Sequence, residues 1–525
     1  MQPSQAATRR EWIGLAVLAL PCMLYSMDLT VLHLAVPALS KQLAPSATEL
    51  LWIIDVYGFL VAGSLITMGT LGDRIGRRRL LLVGSVIFGA ASILAAFSTS
   101  APMLIATRAL LGIAGATIAP STLSLVRNMF KEPKQFSTAI GVVISAYSVG
   151  AAVGPLVGGL LLQLFWWGSV FLVSVPVMGL ILLLGPRLLP EYRDPNAGQP
   201  DIISAALSVV AVLGTIYGLK EIAAHGPGLL PMLSIALGID AAAVFVRRQR
   251  QLAEPFIDLS LFRVPAFASV LVTYALSILA AFGAFLFIPQ YLQLVRGQSP
   301  LQAGLWTLGW PLAFVVGSMV VPQIVRRVRP GMVMAGGLGL AAFGNVILAN
   351  LDPSTPLVVL VFGTTIVGLG LSPIFNLATE LIIGSAPAER AGAASAIAET
   401  CSELSVALGI AILGSLGTAV YRAQLAATLP AELSAQTAHT ATETLGGALA
   451  VASQLPDQLG LALLDAAGSA FVHGLQLSAT TSAIVALALA AITAVLLRDV
   501  RSGASHVADA PETAAQSSEY LGVLA

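Results

Sequence analysis

The sequence predicts an all-α polytopic membrane protein with fourteen transmembrane helices and both termini on the cytoplasmic side. Three observations carry that reading. The 525 residues are 57% hydrophobic and 10% charged, with a mean hydropathy of +0.89, where a soluble domain carries about 25% charged residues. The chain holds fourteen apolar runs, each long enough to cross ~30 Å of hydrocarbon as a helix. Its basic residues alternate between loops in the manner that sets membrane orientation. The 26 Lys and Arg balance 26 Asp and Glu, so the basic excess of a nucleic-acid binder is missing. Solid apolar runs, in place of alternating segments, exclude a transmembrane barrel.

The polar stretch 1–11 reads as a short cytoplasmic N-terminus. The run after it is too long for a signal peptide and has no small-residue cleavage site. Spans follow at 12–36, 50–71, 79–97, 102–126, 138–161 and 168–188, then at 203–223 and 228–246. That last pair is short and joined by the tight turn Gly226-Pro227-Gly228. Six more lie at 266–292, 303–325, 331–350, 356–383, 391–420 and 472–497, before a cytoplasmic tail, 498–525. With the N-terminus inside, 21 of the 26 Lys and Arg fall in inner loops. Lys41, Lys220, Arg296 and Arg422 fall outside, and Arg108 alone lies within a span. The Ala-rich loop 421–471 is expected outside, with short amphipathic helices at 431–454 and 457–470. It either packs on the outer face or closes over an outward opening.

Two cysteines, Cys22 and Cys401, and five scattered histidines offer no disulfide framework and no ligand spacing. Neither a metal nor a cofactor is expected. With no nucleotide-binding loop and no Ser/His/Asp set, an enzyme is disfavoured too.

The chemistry is expected where charge is costly. An ionisable side chain near the bilayer centre costs at least ~2.5–3.5 kcal/mol on insertion scales, which makes it a candidate functional group. Asp28 lies ~24 Å from the inner boundary at ~1.5 Å per helical residue. Asp55 sits a few residues into a helix that starts outside and Arg108 about two turns from the outer end of its own, so all three share the outer half. Two acids and one Arg at one level form a candidate charge cluster for proton exchange, or a structural ion pair. Glu399 and Glu403 are spaced i, i+4 and share a helix face, ~12–18 Å into their span. Two carboxylates so close resist double ionisation, which suits a site for a proton or a cationic substrate. Asp240 and Glu380 read as structural or interfacial.

Between the second and third spans stands Gly69-Thr70-Leu71-Gly72-Asp73-Arg74-Ile75-Gly76-Arg77-Arg78-Arg79. Its glycines allow tight turning, and Asp73 is placed to cap or pair with a neighbouring helix end. This loop resembles the signature loop of the major facilitator superfamily. Arg108 with Gly112, Gly115 and Pro120 resembles that superfamily's fourth-helix motif, whose Arg is tied to proton coupling. Gly150, Gly154, Pro155, Gly158 and Gly159 resemble its fifth-helix motif, which marks exporters.

Fourteen spans narrow the resemblance to drug:proton antiporters with an inserted central helix pair, of the quaternary-ammonium and multidrug efflux (Qac/Smv) type. The resemblance implies the major facilitator fold: an N-terminal six-helix half at 12–188, an inserted pair at 203–246, and a C-terminal six-helix half at 266–497. It implies a proton-driven antiporter of lipophilic cations in a bacterial cytoplasmic membrane, acting as a monomer with no cofactor beyond the proton gradient. Proton coupling falls to Asp28, Asp55, Arg108, Glu399 and Glu403. Cation recognition falls to the four acids among them and to candidate wall aromatics Tyr57, Tyr147, Phe282, Phe285 and Phe375. Conformational gating falls to Gly69, Asp73, Arg74, Gly76, Arg77 and the fifth-helix motif. Some relatives carry an acid in the tenth span that is linked with divalent cations; 303–325 has none. Export of a native lipid or metabolite by the same machinery is the alternative. A nutrient symporter is less favoured, because an anion site would want more intramembrane Lys or Arg than the single Arg108.

Overall fold

A computed structural model describes residues 7–193, 201–252, 255, 257, 259–385, 391–430 and 432–497. The expected tail at 498–525 lies outside them, as do residues 1–6 and 386–390. Fourteen helices among the described residues are long and apolar enough to cross a membrane. They are α1 (Arg9–Leu43), α2 (Ala47–Ile75), α3 (Arg77–Ala96), α4 (Ala101–Met129), α5 (Thr138–Leu164), α6 (Ser169–Leu188), α7 (Ile202–Ile222), α8 (Leu229–Gln249), α9 (Phe267–Val295), α10 (Pro300–Val325), α11 (Pro330–Ala349), α12 (Leu357–Gly384), α13 (Ala394–Thr428) and α14 (Asp457–Leu496). No strand occurs among the described residues. Each expected span has its helix.

Local chemistry fixes the ends. At α2 the amide of Glu49 donates to Ser46 Oγ at 3.2 Å, while the Ser46 amide donates to Glu49 Oε2 at 2.9 Å. This capping box satisfies donors that a helix leaves open at its start. Ser299 and Gln302 do the same for α10, and proline at the first turn opens α10 and α11, where a missing N–H costs nothing.

In the first half α1 packs along α5, α2 along α4, and α3 against α4 and α6. In the second, α9 packs on α13, while α11 packs on α12 and α14. The halves meet where α2 runs beside α13 and α5 beside the start of α10. The inserted helices α7 and α8 pair with each other, and α7 lies against both α2 and α13.

The expected loop 421–471 is shorter than the apolar runs suggest. Helix α13 continues to Thr428 and α14 already begins at Asp457, so 457–470 is the first part of α14 and not a separate helix. These helices of 35 and 40 residues are about 50–60 Å long and outrun the hydrocarbon at their ends. Between them lie two short helices, Ala435–Glu443 and Leu445–Ala452. Tyr421 donates to the Ala441 carbonyl at 2.8 Å, and the Ala47 amide donates to Glu443 at 3.0 Å. The insertion therefore rests on the start of α2 and the end of α13. It roofs a cavity of about 580 Å³ lined by Pro37, Lys41, Leu449 and Asp457.

Candidate functional site

Asp28 and Arg108 come together as expected. Arg108 is 1% exposed, and its Nη1 bonds Asp28 Oδ2. Its Nε donates to the Ile53 carbonyl at 3.2 Å, and the guanidinium lies 4.6 Å from the centre of the Tyr57 ring. A carboxylate, a carbonyl and a π face thus hold the charge that lipid would not. The fourth-helix glycines explain how Tyr57 fits. A Cβ at Gly112 would stand 2.6 Å from the Tyr57 carbonyl oxygen, and one at Gly115 would stand 2.9 Å from its hydroxyl.

Asp55 does not join that cluster. It turns to α7, where Lys220 Nζ lies 2.7 Å from Oδ2 and both side chains are at most 1% exposed. The ammonium also sits 4.1 Å from the centre of the Trp52 ring. Lys220 was expected in an outer loop. Instead it lies within α7, so Arg108 is not the single intramembrane cation. The signal was available: the run 203–223 contains Lys220, and an unpaired lysine there needs an acid on an adjacent helix.

The acid pair of α13 faces tyrosines of the first half. Glu403 is 9% exposed, and Glu399 is exposed. Both lie within electrostatic reach of Tyr25 and Tyr147, and Glu403 also of Tyr57. Tyr25 packs 5.8 Å from Tyr147 and 6.1 Å from Tyr57, centre to centre. In the second half, the three expected phenylalanines belong to one aromatic row. Phe282 and Phe285 flank Trp310 at 6.0 and 5.7 Å, Trp310 stacks on Phe314 at 5.8 Å, and Phe314 meets Phe375 at 5.3 Å. Tyr25, Trp310 and Phe314 were not singled out from the sequence, although Trp310 and Phe314 share one face of α10 at i, i+4 spacing. Asp240 and Glu380 are exposed on α8 and α12, away from this arrangement.

The gating motifs divide by function. Asp73 near the end of α2 bonds Arg77, the first residue of α3, at 2.6 Å, so it pairs with a neighbouring helix end as expected, within its own motif. Gly76 has φ +110° and lies against the Glu191 carboxylate, a place no other residue fills without strain. Arg78 donates to the Leu189 carbonyl at 3.0 Å, which ties the loop to the end of α6. Gly69 lies near Pro120, and Arg74 is exposed. A cavity of about 1040 Å³, lined by Asp73, Arg77, Arg127, Lys131, Tyr192 and Ser395, opens at this end.

The fifth-helix motif works at the other end. Added Cβ atoms at Gly150, Gly154 and Gly158 would come within 2.1 Å of Met23 O, 2.2 Å of Thr30 Oγ1 and 2.9 Å of Val31 Cγ1. That stripe seats α1. Gly159 faces the other half instead, 2.7 Å from the Pro300 carbonyl by the same measure, and Pro155 presents its carbonyl to Gly304. The halves are thus in backbone contact at the end opposite the N-terminus, while the cavity at the end that carries it is lined from both halves, by Arg127 and by Ser395.

Residues 18–410 match the sequence profile described as Major Facilitator Superfamily. Multidrug efflux pump LfrA of Mycolicibacterium smegmatis is 42% identical over 497 residues, 94% of this chain and 98% of the relative. Methyl viologen resistance protein SmvA of Salmonella typhimurium is 38% identical over 484 residues, 91% of this chain and 97% of the relative. The tetracenomycin C resistance and export protein of Streptomyces glaucescens is 31% identical, covering 93% of this chain and 92% of its own. Among solved structures, a bacterial homolog of the human lysosomal transporter Spinster, inward-facing and unoccupied, superposes with TM-score 0.67 at 18% identity, covering 94% of this chain and 99% of that one. The nucleoside transporter NupG gives TM-score 0.60 at 12% identity, covering 92% and 99%.

Proposed function

The chain belongs to the major facilitator superfamily, and from that premise we propose that it is a proton-driven antiporter exporting lipophilic cationic drugs by alternating access. Its similarity to multidrug and drug-resistance exporters over more than nine-tenths of its length makes it a multi-pass drug exporter and not an enzyme. The proton and the cation are our reading. One observation carries it: Glu399 and Glu403 lie within electrostatic reach of Tyr25 and Tyr147 of the first half, Glu403 also of Tyr57, and their own half supplies the aromatic row from Phe282 to Phe375.

Aromatic faces with a carboxylate behind them suit a delocalised or quaternary cation. Apolar walls that keep the local dielectric below that of bulk water make that charge pairing stronger. The end carrying the basic loops is placed in the cytoplasm of a bacterial inner membrane. The open cavity at that end then admits the drug. A proton arriving from outside neutralises a carboxylate and releases the cation. At Asp28 the same event frees Arg108, which keeps the Ile53 carbonyl and the Tyr57 ring as partners.

The test is reconstitution in liposomes with an imposed pH gradient and ethidium as substrate. Ethidium movement should follow the gradient, collapse with a protonophore, and be lost in Glu403→Gln. Transport indifferent to the gradient would overturn the proton reading. Retained transport in Glu403→Gln would overturn the site.

A further inference from the structure

The Asp55–Lys220 pair is an odd way to hold two helices together. The approach of 2.7 Å is off the hydrogen-bond direction, and among the described residues neither Asp55 oxygen nor the ammonium has a hydrogen-bond partner. Removing two charges from water costs several kcal/mol per ion, and without extra hydrogen bonds the attraction hardly repays it. A well-packed apolar pair would serve stability as well or better. The pair sits where α7 touches both halves. Toward α2, α7 makes the ion pair, the contact of Lys220 with Trp52, and a tight seat of Val209 in the gap left by Gly63, where a Cβ would come within 2.6 Å. Toward α13, Ile216 and Phe59 meet the small side chains of Ala407 and Ala411. Helix α8 must follow α7. Gly218 seats the Pro231 carbonyl, Arg248 pairs with Asp201 at 3.0 Å, and Gln249 donates to Ser204 at 2.7 Å.

We propose that Lys220 is a positioning residue for transport: its ion pair with Asp55 fastens the inserted helices to the N-terminal half, so that α7 and α8 travel with α2 while α13 slides past them. This rests on the alternating-access reading above. The fastening is Coulombic and directionless, so it holds while the helices adjust. Its strength depends on there being one charge of each sign, not on which helix carries which.

The experiment has two arms, with the wild-type protein run alongside in both. In the first, spin labels on Leu230→Cys are paired with Ser100→Cys of the N-terminal half or with Asp352→Cys of the C-terminal half, in a Cys401→Ser background. All three labelled positions are exposed at the end opposite the N-terminus. Distances are read by electron double resonance with and without ethidium, in acid and in alkaline buffer. The 230–100 distance should hold constant while the 230–352 distribution shifts. A constant 230–352 distance with a shifting 230–100 distance overturns the proposal.

In the second arm, ethidium export is measured for Lys220→Met, for the neutral pair Asp55→Asn/Lys220→Gln, and for the exchanged pair Asp55→Lys/Lys220→Asp. The neutral pair should fold with a melting temperature no lower than wild type. It should export about tenfold less, an ordinary coupling energy, with ethidium affinity within about twofold. The exchanged pair should recover export. A neutral pair that exports like wild type overturns the proposal, and so does an exchanged pair that folds without recovery. Lys220→Met leaves a lone buried carboxylate and is expected to fold poorly, which is why the two double variants decide. If wild type itself fails to export ethidium, the functional reading fails, while the distance arm still reports on the fastening.

Discussion

Gly304 of α10 lies over the Pro155 carbonyl of α5, so close that a Cβ added at 304 would stand 2.4 Å from that oxygen. The two residues belong to different halves, so this contact exists only while the end opposite the N-terminus is shut. Gly304→Ala therefore penalises one conformation and spares the other. Overpacking of this kind costs about 1–3 kcal/mol, enough to move a two-state equilibrium roughly tenfold or more. The variant should expose a cysteine placed at Leu301 to membrane-impermeant reagent faster than the otherwise wild-type protein does. Unchanged labelling would show that this seam is not a gate.

Gly150 meets α1 of its own half, with a Cβ only 2.1 Å from the Met23 carbonyl oxygen. Both helices move together in any rocking of halves, so no conformation relieves the clash. Gly150→Ala should lower the melting temperature, at a cost of about 1–3 kcal/mol, without changing which end is open to labelling. The contrast with Gly304→Ala separates a packing glycine of the fifth-helix motif from a gating glycine on α10.

Asp201 caps α7, accepting from the Ser204 amide at 3.0 Å and pairing with Arg248. Burial alone would raise its pKa, but the bonds from Arg248 and Ser204 outweigh burial and hold it below the ordinary carboxylate value. A depressed folded-state pKa means stabilisation that is present above the unfolded value and lost as pH falls through the folded one. Asp201→Asn should therefore melt lower than wild type at neutral pH. The difference should shrink as the pH drops below ~3.9, read by parallel thermal melts in detergent.

The fold was legible because lipid allows so few answers. Every backbone donor must be paired within its helix, so apolar run length was nearly enough. The Asp28–Arg108 pair was legible for the same reason, since buried opposite charges at one depth find each other. What remained hidden depends on azimuth, which the depth estimate ignores. Asp55 shares the level of Arg108 yet faces α7, and its partner Lys220 stood at the edge of a short span where snorkelling offered an alternative. The end of α13 was hidden because Tyr421, Arg422 and Glu443 bury polar groups against the short helices there, which hydropathy reads as loop. Tyr25 went unnoticed because one tyrosine in an apolar run carries no periodic signal.

The two acids of α13 also bear on substrate charge. The span α10 carries no acid and gives the wall Trp310 and Phe314 instead, so a dication has no second charge to meet there. It has one on α13 itself, because Glu399 and Glu403 lie one helical turn apart, Glu399 exposed and Glu403 9% exposed. On the proposed reading, Glu403, enclosed beside Tyr25, meets the first charge and Glu399 the second. Glu399→Gln should abolish export of methyl viologen while monovalent ethidium export keeps its maximal rate, with KM raised less than about tenfold, the size of a partly screened charge contact. The check is a side-by-side transport assay of both cations in the same vesicles. Equal losses for the two would sink the division of labour between the carboxylates, because one charge would then be serving both substrates.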